Sequence, residues 1–208
     1  QIVDPELMYS MPKGLTAATG MDALTHAIES YITPGAWVMS DMFELKAIEM
    51  IAQNLKAAVD NGKDVAAREA MSQAQYIAGM GFSNVGLGIV HSMAHPLGAF
   101  YDTPHGVANA LLLPYVMEYN AESPAAPKYI HIAKAMGVDT TGMSEAEGVK
   151  AAVEAVKALS ASINIPQKLH EINVKEEDIP ALAVAAFNDV CTGGNPRPTS
   201  VADIEALY

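Results

Sequence analysis

From Thr16 to Tyr31 the apolar residues Ala17, Met21, Leu24, Ile28 and Tyr31 return every three or four positions, which predicts a helix with one buried face. Pro34 and Gly35 stop it. Ser40 ahead of Asp41 is a good N-cap for a second helix, which carries Leu45, Ile48, Ile51 and Leu55 and ends near Asn61-Gly62. The stretch from Val65 to Val90 is helical in its first half and then dense in glycine at Gly79, Gly81, Gly86 and Gly88, where small residues let backbones approach closely. It reads as one buried central helix closed by Pro96. A membrane span is disfavoured, because Ser83, Asn84 and His91 interrupt the apolar run and no basic anchors flank it.

A loop through Asp102-Thr103-Pro104 leads to a periodic segment from Gly106 to Asn120, and further helices are predicted around 128–136, 144–160, 178–188 and 200–207. No strand-helix alternation follows the first residues, so the chain is expected to be all-α, a single helical unit over 1–208. Ile2-Val3 before Asp4-Pro5 reads as the end of a strand whose partners lie outside the sequence. The chain is therefore expected to be a piece of a longer protein.

Half of the 208 residues are hydrophobic, enough for one sizeable core, and this excludes a disordered chain. The formal charge of −12 argues against a nucleic-acid partner, whose phosphates call for clustered Lys and Arg. Cys191 is the single cysteine, so no internal disulfide can form, in keeping with a cytoplasmic protein. No basic n-region or apolar h-region marks a secretion signal.

The candidate chemistry lies in two histidine-bearing regions. Asp22 and His26 are four residues apart and project from the same helix face. His91 and His95 repeat that spacing, and His105 follows a Pro-containing loop that can fold back onto them. A lone Asp-x-x-x-His pair is more often a surface ion pair than a metal site. Here the flanking residues are small or apolar, so these groups would be buried, and a shared cation is the partner they need. Three imidazoles and one carboxylate suit Fe²⁺ or Zn²⁺ rather than Ca²⁺ or Mg²⁺. One anionic ligand leaves a net positive, Lewis-acidic centre. Spacing does not choose between His91 and His95. Gly79-Met80-Gly81 and Gly86-Leu87-Gly88 follow no strand and complete no dinucleotide fingerprint, and Gly193-Gly194 is read as a loop.

Gly20-Met21-Asp22-Ala23-Leu24-Thr25-His26-Ala27-Ile28-Glu29 resembles the first motif of the iron-dependent alcohol dehydrogenases, and Gly81 to Asn109 resembles the second. The similarity runs on through Asp189-Val190-Cys191-Thr192-Gly193-Gly194-Asn195-Pro196-Arg197. It implies the C-terminal helical domain of that family, with Asp22, His26, His91 and His105 as metal ligands and His95 as an unliganded member of the proton path. It further implies Phe82, Leu87 and Cys191 as walls of a narrow substrate pocket, although Phe82 and Leu87 could equally be plain core. Cys191 has no activating base nearby in sequence, so it is not expected to act as a nucleophile. The implied function is interconversion of a small alcohol or diol and its aldehyde, with hydride exchanged with NAD(P). The implied partners are an N-terminal Rossmann-like domain that binds the dinucleotide and further copies of the protein in a homo-oligomer. Without that domain the chain is expected to hold metal but show little activity. Two rivals are a lyase or hydrolase of dehydroquinate synthase-like architecture and a non-catalytic metal-binding helical domain. The first needs basic residues in its pocket, which the motifs lack.

Overall fold

A computed structural model describes residues 2–208, and among them there is no strand. The fold is built on α1 (Lys13–Ile32), in which fourteen of twenty residues are buried, so it runs through the centre rather than along the surface. Met21, Leu24, Ala27 and Ile28 have no exposed area and anchor one continuous core. Around α1 pack α2 (Val38–Asp60), α3 (Val65–Val85) and α5 (His105–Asn120). A second layer follows: α4 (Ile89–Tyr101) lies on α5 and on α8 (Ile179–Phe187), α6 (Tyr129–Ala135) pairs with α7 (Glu145–Ser162), and α9 (Val201–Leu207) covers α8. None of these helices is long and apolar enough to cross a membrane.

Most helices lie within a few residues of the expected ranges, but four local expectations are corrected. The stretch from Val65 to Val90 is two helices, not one. Gly86 takes φ +87°, a left-handed conformation that ends α3 with little cost only for glycine. The chain then passes through an extended Gly88 before α4 starts. Pro96 does not close the region; α4 continues through it to Tyr101. Ser40 is not the N-cap of α2, which begins at Val38; its Oγ folds back to accept the Trp37 N–H at 2.9 Å. Ile2 and Val3 form no strand, and the next ordered turn is a short 3-10 segment at Pro5–Met8.

Two features bring the chemistry together. Asp102 takes φ 55° and ends α4, and after only Thr103 and Pro104 the chain re-enters helix at His105, which folds α5 back beside α4. Gly106 then touches the backbone of Ala18: a Cβ at this position would collide with the Ala18 carbonyl. The missing side chain lets α5 approach α1 closely enough for His105 to reach Asp22.

Candidate metal centre

Asp22 and His26 stand on α1, His91 and His95 on α4, and His105 on the first turn of α5. Asp22 Oδ1 lies 3.7 Å from His91 Nε2 and 3.5 Å from His105 Nε2. The His26 and His91 rings are 4.3 Å apart, and the His91 and His105 rings 5.3 Å. Asp22, His26 and His91 each offer a ligand atom within 4.8 Å of the others. His26 Nδ1 donates to the Asp22 carbonyl at 2.8 Å, which leaves Nε2 as its free lone pair. Two candidate groups are therefore set by helix geometry, and two more are delivered by the turn between α4 and α5.

His91, not His95, joins Asp22. His91 is almost fully buried, whereas His95 is exposed and turns its Nδ1 to Asp189 Oδ2 at 2.7 Å. The His95 ring stacks on His105 with centroids 5.4 Å apart, so it stands beside the cluster without entering it.

The donor chemistry fits a divalent cation. Asn109 Nδ2 sits 2.6 Å from Asp22 Oδ1, 3.1 Å from His91 Nε2 and 3.0 Å from His105 Nε2, so these lone pairs share one focus. Asn109 Oδ1 meanwhile is buried without a hydrogen-bond partner. Charge is arranged to match. Burial opposes ionisation of Asp22, but the neighbouring His91, the charges of His26 and His105 and the Asn109 amide together hold its carboxyl below the usual range. Burial and the neighbouring His91 hold the proton affinity of His26 down, and burial does the same at His105. At His91 burial is outweighed by the Asp22 and Glu29 carboxylates, which raise it to about 9.

A cavity of about 930 Å³ opens against Asp22 and His26 between α1 and α3. Phe82 lines it and packs on the His26 ring at 4.5 Å. Leu87 and Cys191 do not line this cavity; Leu87 lies in the turn between α3 and α4, and its carbonyl packs against Gly194, three residues beyond Cys191. Burial and the Asp189 carboxylate push the Cys191 thiol up to about 12, so it is protonated at neutral pH and unfit as a nucleophile. Arg68 reaches the cavity, but its guanidinium donates to the Gly62 carbonyl, Thr16 Oγ1 and the Met11 carbonyl. It is spent on structure, and no Lys or second Arg lines the space for a polyanionic substrate.

Three residues that sequence spacing did not single out complete the site. Glu29 lies seven residues after Asp22 on the same face of α1, Asn109 lies four after His105, and Asp189 holds His95 from across the chain. The first two carry the same helical period as the candidate ligands and could have been found by extending it.

Among the described residues, an all-helical domain with three histidines and one carboxylate clustered around the buried His91 defines the class: a helical unit with a candidate metal centre at the mouth of a cavity. The model of the Fe-containing alcohol dehydrogenase family, C-terminal, matches residues 16–208, and the chain belongs to that family. Lactaldehyde reductase of Escherichia coli (strain K12) is 59% identical over 206 residues, covering 99% of this chain and 53% of that protein. The NAD-dependent methanol dehydrogenase of Bacillus methanolicus is 46% identical over 206 residues, covering 99% and 54%. The crystal structure of a 1,3-propanediol oxidoreductase superposes with a TM-score of 0.96 at 47% identity, covering 98% of this chain and 53% of that one. The chain thus spans about half the length of the relatives it matches.

Proposed function

We propose that the protein is a metal-dependent oxidoreductase that interconverts a small alcohol or diol and its aldehyde, of the lactaldehyde/1,2-propanediol kind, and that this chain is its metal-binding helical unit. The observation that carries this is the convergence of Asp22, His91 and His105 on one point, with His26 beside them and His95 flanking the cluster. The named activities of the relatives support an alcohol substrate, and three of them act on small ones. Asp22, His26, His91 and His105 would hold Fe²⁺ or Zn²⁺, which supplies a Lewis acid for the substrate oxygen. The dinucleotide, NAD or NADP, falls to an N-terminal Rossmann-like domain, and the full-length protein is a cytoplasmic homo-oligomer.

This chain's own residues do the rest. Phe82, which lines the cavity and packs on His26, would confine the substrate. The exposed His95 lies beside the cluster with Nδ1 donating to Asp189, which leaves Nε2 free to take a proton from an alcohol or return it to the reduced aldehyde. In the full-length protein, NAD(P)H-linked reduction of lactaldehyde is expected, lost on chelation and restored by Fe²⁺. Failure of any small aldehyde to oxidise NAD(P)H in the metal-loaded protein would overturn the proposal. His95→Ala is expected to slow the reaction about a hundredfold while leaving bound metal unchanged by elemental analysis. An unchanged rate would remove His95 from the proton path.

A further inference from the structure

The α1 face that carries Asp22 and His26 continues to a third group. Glu29 is buried with 3% exposure, and no Lys or Arg pairs with it among the described residues. A bare buried carboxylate is expensive, so its two oxygens must find strong donors. Both donors come from the first turn of α4. Oε1 accepts the Val90 N–H at 2.7 Å, and Oε2 lies 2.6 Å from His91 Nδ1. The carboxylate thereby caps the positive end of α4, whose early N–H groups have no partner within the helix.

The contact with Nδ1 has a chemical consequence at the other end of the ring. A carboxylate can only accept, so Nδ1 must carry a hydrogen. In the neutral ring the lone pair is then on Nε2, the atom that faces Asp22 at 3.7 Å and the donating Asn109 amide at 3.1 Å. We propose that Glu29 is the positioning residue of the metal centre, locking His91 in the tautomer that can bind a cation while seating the helix that carries it. This rests on the metal-binding role proposed above. Glu29 and Asp22 together also supply two negative charges to balance those of a divalent ion, one by direct contact and one through the imidazole.

Glu29→Gln isolates the effect because it keeps size and shape. When the amide oxygen stays on the Val90 N–H, its NH₂ faces Nδ1 and favours the tautomer protonated at Nε2, the wrong atom for ligation. Co²⁺ affinity of the full chain, measured by competition with a chelator, is expected to fall about 10–100-fold. In Zn²⁺-loaded parent protein, nitrogen-15 NMR should show His91 coordinated through Nε2 with a slowly exchanging Nδ1–H; this reading needs no variant to fold. Coordination through Nδ1, or unchanged Co²⁺ affinity in a folded Glu29→Gln, overturns the proposal. Asp22→Ala measured alongside separates the two ideas. If it loses Co²⁺ while Glu29→Gln keeps it, only the positioning role is wrong. If Asp22→Ala also keeps its affinity, the metal centre itself is wrong.

Discussion

Asp22→Ala is expected to leave the protein unable to retain a metal ion. Asp22 is the one anionic member of the proposed ligand set, and its Oδ1 is the point shared by the His91 and His105 Nε2 atoms. Its ionised state is defended against burial by the imidazoles themselves and by the Asn109 amide, so the carboxylate is available at any pH near neutrality. Without it three imidazoles would face one another with no directly coordinating charge to offset a dication, and only Glu29 acting through His91. The loss should exceed the roughly 10–100-fold expected when only an outer partner of a ligand is removed. After dialysis, elemental analysis should find about one ion per chain in the parent and almost none in the variant. The same difference should appear as stability. An ion at a hundredfold excess over its dissociation constant adds about 2.7 kcal/mol to the parent and nothing to a variant that cannot bind it. His95→Ala provides the contrast, because its ring turns to Asp189 and meets the cluster only through ring contacts with His105 and His91. Retention of the ion by Asp22→Ala, or its loss from His95→Ala, would redraw the ligand set.

That ligand set was legible in the sequence to different depths. The pairing of Asp22 with His26 follows from helical spacing alone, since four residues make just over one turn. The division of labour between His91 and His95 does not, because both have the same spacing and differ only in what faces them: α1 for the first, and the distant Asp189 for the second. The break at Gly86 was hidden for a similar reason. A glycine-rich apolar run looks alike whether its glycines pack helices or end one, and only the positive φ decides. Pro96 misleads in the opposite direction, as buried surroundings on both sides of α4 hold the helix through a residue that would end it in isolation. Helix existence is thus local and readable, whereas the partners across helices are products of tertiary packing.

Glu44→Gln is expected to remove a pH-dependent loss of stability from the fold. Glu44 of α2 is fully buried and faces Gly81 of α3, where the absent side chain leaves it room. Neither carboxyl oxygen has a hydrogen-bond partner, and the nearby Ser30 hydroxyl donates instead to the His26 carbonyl at 2.5 Å. Burial, reinforced by the Asp41 carboxylate, pushes its pKa from the ordinary 4.5 up to about 8. The folded protein therefore keeps a proton that the unfolded chain has already released. Between about 4.5 and 8 this favours unfolding progressively as pH rises, by about 1.4 kcal/mol per pH unit, and above 8 the penalty is constant. The full span approaches 5 kcal/mol as an upper bound. A neutral amide of the same shape cannot ionise, so the advantage of the variant over the parent should be near zero at pH 4.5 and grow towards pH 8. Urea unfolding of both proteins at several pH values, each freed of metal so that the histidines contribute equally, measures the difference directly. Parallel stability curves would show that Glu44 finds solvent or a partner when it ionises. A divergent pair would mean that the α2–α3 contact behind Phe82, and with it the wall against His26, is held most firmly while Glu44 keeps its proton.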